Sequence, residues 1–346
     1  MIERVEVTRT ILVPDGQAPE RIDRYVTRSV LRATRNKVQE AIDAGAVLVN
    51  GKAIRSNYKG KGGDEISITL MKPPPIQLIP QDIPLDIVFE DSDLIIVNKP
   101  AGMVTHPGFG NRDGTLVNAV LYHVGDLPSA IDSDDDDEAT DDEDAEPAEV
   151  IGASVRPGGV HRLDKETSGL MVVAKNAEAQ AHLARQFAER KARREYHAVV
   201  WGVLSEESGM VEGNIARDPR DRKRFTVAHR GGKPALTHWR TIERFEFTTL
   251  LAFRLATGRT HQIRVHAAHI NHPVFGDPTY GGRDVVYPGA GGRHRQRVAN
   301  LLRLIERQAL HARTLGITHP STGEWMEFES DLPRDMMELI EHLRVR

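Results

Sequence analysis

One short segment of the sequence concentrates side chains that can do chemistry. Residues 157–170 place His, Arg, Asp, Lys, Glu, Thr and Ser between glycines at both ends, with Asp164 in the middle. The apolar run Leu170–Ala174 follows and predicts a buried strand. A polar loop that leads into a buried strand can hold a functional side chain on a rigid support. A polar turn with an incidental Asp164 is the alternative that composition alone leaves open.

A second segment holds four histidines close together: His261, His266, His269 and His272. Their spacings of five, three and three residues differ from the i, i+4 pair that zinc hydrolases carry on one helix face. The sequence contains no cysteine, which excludes thiolate zinc sites and cysteine nucleophiles. It contains neither a Gly-Lys-Ser/Thr phosphate loop nor the glycine pattern of dinucleotide-binding proteins. We therefore expect no metal, no nucleotide and no other cofactor, and keep a metal-assisted hydrolase as a minor alternative.

Both segments belong to a larger predicted domain that covers residues 83–346. Its predicted strands are short and apolar, and two amphipathic helices lie among them. The strands are Leu85–Phe89, Leu94–Asn98, Leu170–Ala174, Tyr196–Trp201, Leu250–Leu255 and Gln262–His266, and the helices are Ala177–Arg190 and Asp335–Leu343. Because strands and helices do not alternate regularly, we expect an α+β protein whose larger domain is built on a mostly antiparallel mixed β-sheet.

Residues 1–75 predict a smaller unit of two helices and a hairpin. Ile22, Tyr25 and Val26 share one face of the first helix. Asn50–Gly51 predicts the turn of the hairpin, since both residue types tolerate positive φ. The unit therefore resembles a small domain with its own core.

The helices of this smaller unit are rich in basic residues. The candidate contacts to an RNA backbone are Arg24, Arg28, Arg32, Arg35 and Lys37. A solvated helix face explains any one of them alone. A linker at residues 76–82, which follows three consecutive prolines, joins this predicted RNA-binding domain to the larger domain.

The charge of the chain is unevenly distributed. The net charge is −4, yet residues 132–149 hold twelve acids and no Lys or Arg, so the remainder carries +8. A basic remainder suits a polyanionic partner such as RNA, and residues 131–150 predict a disordered acidic insertion. The sequence has neither an apolar run of about 18 residues nor a secretory signal at its start. We expect a cytoplasmic protein without a membrane partner.

Several segments resemble, in the same order, the RluA/RluD-type pseudouridine synthases. The matching segments are Ile96–Gly102, His106–Gly108, Gly159–Leu170, Arg194–Tyr196, Thr257–His266, His272–Pro278, Gln308–Ala312 and His319–Glu324. Residues 14–70 resemble the small RNA-binding domain shared with a small-subunit ribosomal protein. The resemblance covers nearly the whole chain, and the acidic insertion departs from it by lengthening a connection that is shorter in the family.

The resemblance implies roles for five residues. The aspartate of His-Arg-Leu-Asp, here Asp164, is the catalytic residue of that family. Arg264 is the cation that keeps the pKa of Asp164 low. Tyr196 is the aromatic residue that stacks on uracil or moves a proton. His161 and Arg162 are assigned to substrate binding, with Arg162 helping to displace the target base.

The implied reaction isomerises uridine to pseudouridine in structured RNA, and large-subunit ribosomal RNA is the expected substrate. Attack on C1′ and removal of a proton at C2′ both start from an ionised carboxylate, and the sequence leaves both routes open. A transfer RNA pseudouridine synthase and a non-catalytic RNA-binding or ribosome-assembly factor are the alternatives. Intact Asp164, Tyr196 and Arg264 favour the enzyme over the factor. We expect a monomer.

Overall fold

The computed structural model describes residues 5–29, 35–72, 78–108, 111–128, 158–221, 224–228, 230–284 and 292–345. The acidic insertion predicted at 131–150 lies outside these described residues. The chain divides into two compact units, Met1–Pro75 and Ile76–Arg346. No helix within the described residues is long and apolar enough to cross a membrane.

The smaller unit packs two helices on an antiparallel sheet. Four strands pair in the order β1-β6-β3-β4, and β2 pairs with β5. In chain order the elements are β1 (Val5–Leu12), β2 (Glu20–Arg21), α1 (Ile22–Ser29), α2 (Arg35–Asp43), β3 (Val47–Val49), β4 (Lys52–Ala53), β5 (Lys59–Gly60) and β6 (Glu65–Lys72). Ile22, Tyr25 and Val26 are buried in the core, as their shared helical face predicts. Asn50 and Gly51 have φ of 51° and 74° in the β3–β4 turn, which confirms the predicted hairpin.

The larger unit is built around one ten-stranded sheet. Its elements are β7 (Ile87–Glu90), β8 (Leu94–Lys99), α3 (Leu116–Val124), β9 (Ser168–Ala174), α4 (Ala177–Ala188), β10 (Arg193–Trp201), β11 (Ser208–Arg217), β12 (Phe225–Ala228), β13 (Lys233–Arg244), β14 (Thr248–Leu255), α5 (Gln262–His269), α6 (Gly292–Leu304), β15 (Leu310–Thr318), β16 (Trp325–Glu329) and α7 (Arg334–Arg344). The predicted α+β class with a mostly antiparallel mixed sheet is confirmed.

The register of the central strands brings distant parts of the chain together. The strand order is β12-β11-β13-β14-β10-β15-β9-β8-β7, with β16 paired to β15. Among the described strands, only β15 and β9 pair in parallel, with Ala312 opposite Gly169. Tyr196 of β10 lies opposite Phe253 of β14 and Ala312 of β15. The loop that precedes β9 is therefore held near the strand that carries Tyr196.

Two buried basic side chains fix that loop through its backbone. Nζ of Lys99, at the end of β8, donates to the carbonyl of Lys165 at 3.2 Å. The guanidinium of Arg307 donates to the carbonyl of Glu166 at 3.1 Å, and it also makes two hydrogen bonds to the Asp335 carboxylate of α7. Because Lys99 and Arg307 are 1% and 7% exposed, these bonds hold the loop from inside the molecule.

The prediction of a strand at Gln262–His266 is wrong, because this segment is the first part of helix α5. Ile263 and Val265 gave the alternation that is typical of a half-buried strand. All residues from Gln262 to Ala267 are buried, polar and apolar alike, so the sequence has no amphipathic period that could reveal the helix. The other strands and helices predicted for this unit are present, with differences at their ends.

Gly169 lies so close to β15 that a side chain would not fit. Its φ is +121°, and a Cβ atom there would overlap the backbone of Ala312. We predict that Gly169→Ala lowers the free energy of unfolding by about 3 kcal/mol, because the strands must separate around a strained residue. The change is measured by chemical denaturation.

Gly323→Ala is the matched control for this substitution. Gly323 also has a positive φ of 73°, but no neighbouring atom lies near the position of its missing Cβ. Backbone strain alone should cost about 1 kcal/mol there. Equal losses in the two variants would contradict the close approach of β9 and β15 as the cause.

Candidate active site

A cleft of about 200 Å³ opens beside the loop that precedes β9. Residues 159–164, Tyr196 of β10 and residues 258–264 at the start of α5 form much of its lining. Asp164, Tyr196 and Arg264 are far apart in the sequence but line the same cleft. The fold thus brings together the three residues that the sequence analysis proposed as catalytic.

The Asp164 carboxylate is held through one of its two oxygens. Its Oδ2 accepts a hydrogen bond from Nη1 of Arg264 at 3.1 Å, and Nε2 of His261 lies 3.9 Å from the same oxygen. Its Oδ1 accepts no hydrogen bond from the described residues. Burial raises the pKa of Asp164, but attraction to His261, Arg264 and Arg162 outweighs burial and holds the pKa below its usual range. The carboxylate is therefore ionised at neutral pH, and its side chain is 20% exposed in the cleft.

Arg264 is a buried cation between two carboxylates. Its Nε and Nη2 donate to the two oxygens of Asp277 at 2.7 and 3.0 Å, while Nη1 donates to Asp164. Asp277 is fully buried, and the backbone N–H groups of Thr279 and Tyr280 donate to its Oδ1. Burial lowers the pKa of Arg264, but the bonds to Asp277 and the charge of Asp164 raise it above its usual value. Arg264 stays charged, and its fork geometry fixes where Asp164 lies.

Tyr196 lies at a break in the regular pairing of β10 with β15, between Glu195 and Tyr196. Only 5% of Tyr196 is exposed, and it lines the cleft. Burial raises the pKa of its hydroxyl; the Arg194 guanidinium opposes this effect and Asp164 adds to it. Tyr196 therefore keeps its proton at neutral pH and lines the cleft as a neutral residue.

The two residues predicted to bind substrate differ in their surroundings. Arg162 is exposed at the cleft, two residues before Asp164. His161 is buried, its Nε2 accepts the backbone N–H of Val172 at 3.1 Å, and its ring stacks on Phe187. Burial, with a smaller contribution from a nearby arginine, lowers the pKa of His161 to about 3. His161 is thus a neutral part of the cleft wall, whereas Arg162 is free of the core.

The basic residues predicted to contact RNA in the smaller unit also divide into groups. Arg24 and Arg28 are exposed on α1, and Arg28 forms an ion pair with Glu20 at 3.0 Å. Arg35 of α2 donates to the buried carboxylate of Asp23 in α1, so it also joins the two helices. The other two candidates fall outside the described part of the chain, which excludes Arg32 and the side chain of Lys37.

Several residues of the site were not predicted as such from the sequence. Asp277 fixes Arg264, and Tyr280 lies under the Arg264 guanidinium with 5.0 Å between Cζ and the ring centroid. His261 and Arg194 line the cleft beside Asp164 and Tyr196. Asp277 and His261 lie in segments that resemble the family, but their roles depend on contacts that the spacing of residues does not indicate.

Three of the four histidines considered for a metal site have separate hydrogen-bond partners, and His269 is exposed. Nδ1 of His261 bonds to the Tyr280 hydroxyl, and Nδ1 of His266 to the Thr237 hydroxyl. Nδ1 of His272 lies 2.6 Å from a backbone carbonyl oxygen. Within the described residues, no three His, Asp or Glu side chains are grouped as metal ligands. That the reaction needs no metal stays a prediction.

Comparison with known proteins identifies the family of the chain and its smaller domain. The model of the RNA pseudouridylate synthase family matches residues 93–269, and that of the S4 domain matches residues 20–66. An uncharacterized RNA pseudouridine synthase of Chlorobaculum parvum is 45% identical over 341 residues, 97% of each chain. Ribosomal large subunit pseudouridine synthase D of Escherichia coli is 42% identical over 348 residues, 99% of this chain and 96% of its own.

A solved structure shares the fold. Human RNA pseudouridylate synthase domain containing 4 has a TM-score of 0.52 at 23% identity, covering 75% of this chain and 92% of that chain. At this identity the likeness concerns the fold alone.

Asp277 should matter more for stability than Asp164, although both bond to Arg264. We predict that Asp277→Asn lowers the free energy of unfolding by about 3 kcal/mol, because a buried guanidinium loses its paired anion. Asp164→Asn is the matched control, since the same change at a partly exposed carboxylate should cost less than about 1 kcal/mol. Urea denaturation of both variants measures the difference. Equal losses would contradict Asp277 as the main partner of Arg264.

Proposed function

The chain belongs to the RNA pseudouridylate synthase family, and we propose that it isomerises specific uridines of large-subunit ribosomal RNA with Asp164 as the catalytic carboxylate. The choice of RNA is supported by the relative from Escherichia coli, whose name specifies the ribosomal large subunit and whose sequence matches almost from end to end. The S4 domain at residues 20–66 is part of that match and adds a second RNA-binding unit.

One observation carries the assignment of Asp164. Arg264 holds Oδ2 at 3.1 Å, and no described residue donates a hydrogen bond to Oδ1. Oδ1 is thus the oxygen that remains for substrate in the cleft. A charged carboxylate with one restrained and one available oxygen is suited to react with a ribose carbon, as in retaining glycosidases.

The proposed reaction keeps all atoms of the nucleoside except one exchanged proton. The bond from N1 of uracil to C1′ breaks, its electron pair stays on uracil, and Oδ1 of Asp164 forms a bond to C1′. Uracil then turns, C5 bonds to C1′, and the Asp164 ester bond breaks. Finally the proton on C5 leaves and N1 takes up a proton. The second route, in which the carboxylate removes the C2′ proton and a glycal forms, also requires Asp164 to be ionised.

The cleft walls and the S4 domain support the remaining parts of the proposal. The ring of Tyr196 lines the cleft and offers a stacking surface for uracil. The target base must leave its stack to reach Asp164. We propose that Arg162, which is exposed at the cleft, takes the position of that base in the RNA. Arg24 and Arg28 of the S4 domain are proposed to contact phosphates. We therefore propose residues 1–75 as the RNA-binding domain and 83–346 as the catalytic domain.

Replacing Asp164 should remove turnover without removing RNA binding. With a large-subunit ribosomal RNA transcript tritiated at C5 of uridine, the wild type should release tritium, because C5 loses its hydrogen after it bonds to C1′. Asp164→Asn should lower this rate by about 10³-fold or more, since the amide is a poor nucleophile and base.

Asp331→Asn is the matched control, since this aspartate side chain is 99% exposed and lies outside the cleft. It should release tritium at the wild-type rate. Filter binding of the same transcript checks that Asp164→Asn still binds. Tritium release by Asp164→Asn at the wild-type rate would contradict the assignment of Asp164. Release from transfer RNA transcripts alone would contradict the ribosomal substrate.

A further inference from the structure

We infer that His261 is a positioning residue of this reaction: with its proton on Nε2, it restrains Oδ2 of Asp164 from a second side and leaves Oδ1 to react. The inference rests on the proposed role of Asp164. It concerns the residue at the start of α5, and it follows from the backbone of His261, its hydrogen bond to Tyr280 and its distance to Asp164.

The backbone of His261 has a conformation that few side chains adopt. Its φ and ψ are 55° and 18°, in the left-handed region, which few residues other than glycine adopt, although Asn, Asp and His do so more often than the rest. Gln262 anchors the segment, since its Oε1 accepts from the Thr257 hydroxyl and its Nε2 donates to the Thr237 hydroxyl. A conformation that costs free energy and is held by surrounding bonds is typical of functional sites.

The hydrogen bond to Tyr280 determines which nitrogen of His261 carries a proton. The Tyr280 hydroxyl accepts the backbone N–H of Phe225 at 3.0 Å and lies 2.8 Å from Nδ1 of His261. Among the described residues, Nδ1 is the one acceptor for the proton of that hydroxyl. Burial raises the pKa of Tyr280, so the hydroxyl keeps this proton. Nδ1 therefore accepts, and Nε2 carries the imidazole hydrogen on the side of Asp164.

Two aromatic rings keep the imidazole in this orientation. The ring planes of Phe225 and Tyr280 make angles of 78° and 83° with it, with centroids at 5.8 and 5.6 Å. His261 is 9% exposed and lines the cleft. The ring thus has little freedom to turn its Nε2–H away from Asp164.

His261 and Arg264 lie beside the same oxygen. His261 immediately precedes α5, and Arg264 lies in the first turn of that helix. Nη1 of Arg264 lies 3.1 Å from Oδ2 of Asp164, and Nε2 of His261 lies 3.9 Å from it. A movement of about 1 Å on RNA binding would bring Nε2–H to hydrogen-bond distance. With both donors on Oδ2, Oδ1 is the oxygen directed to substrate.

The pH dependence of Asp164 reports this restraint. Several charged or titratable groups face Asp164. They are Lys99 at the end of β8, Arg162 in the Asp164 loop, Tyr196 on β10, His261 just before α5, Arg264 on α5 and Tyr280 after α5. Loss of a donor from Oδ2 favours the protonated carboxyl. The rate of a reaction that needs ionised Asp164 then falls at a higher pH than in the wild type.

Substitutions at His261 test the role in catalysis. With saturating tritiated ribosomal RNA transcript, His261→Leu should lower the single-turnover rate about tenfold and move its acid limb up by about 0.5–1 pH unit. His261→Gln, which retains an N–H donor, should restore part of both changes. His269→Leu is the matched control, because His269 is exposed on the same helix, and it should leave rate and pH profile unchanged. A slower His261→Leu enzyme with an unmoved acid limb would mean a merely structural role and overturn the inference.

The tautomer can be measured without activity. In the full-length protein labelled with ¹⁵N in its histidines, the His261 signals, assigned by their loss in His261→Gln, should show an unprotonated Nδ1 and a protonated Nε2. Tyr280→Phe removes the donor to Nδ1 and should populate the other tautomer. A wild-type signal with protonated Nδ1 would overturn the inference even where Asp164→Asn has shown Asp164 to be catalytic.

Discussion

The burial of the Arg264 charge is the constraint on which the rest of the site depends. A guanidinium that is 6% exposed is costly unless anions satisfy it, and Asp277 does so with two hydrogen bonds. The third nitrogen of the guanidinium, Nη1, then donates to Asp164. The same cation keeps Asp164 ionised and restrains one of its oxygens, so stability and reactivity are coupled through one side chain.

The sheet makes this arrangement possible by bringing three distant segments together. The parallel pairing of β9 with β15 places Gly169 against Ala312, which in turn lies opposite Tyr196 of β10. Lys99 and Arg307 then hold the loop before β9 through backbone carbonyls and not through the Asp164 side chain. The Asp164 carboxylate of the loop is instead bonded by Arg264 of α5. The position of α5 depends in turn on the hydrogen bonds of Gln262 to β13. Each element thus fixes a different part of the same site.

Local signals in the sequence predicted the parts of the site that depend on local structure. The polar loop around Asp164 and the apolar strand after it are adjacent in sequence, and the smaller unit has clear helical and turn patterns. Tyr196 and Arg264 were assigned through resemblance to a family, since neither has a local pattern. Asp277 was missed because Gly-Asp-Pro also describes an ordinary turn, and its burial beside Arg264 arises only from tertiary packing. The first six residues of α5 are all buried, so the sequence lacks the period of an amphipathic helix, and neither this helix nor the proposed role of His261 was predictable.

Mapping pseudouridine in large-subunit ribosomal RNA from cells is the first test of whether this chain modifies that RNA through Asp164. The wild-type strain is compared with a strain in which the gene is deleted, complemented with either the wild-type gene or Asp164→Asn. If Asp164 catalyses this modification, specific pseudouridines disappear on deletion, return with the wild-type gene and stay absent with Asp164→Asn. Pseudouridines that persist unchanged in the deletion strain, or that return with Asp164→Asn, would contradict it.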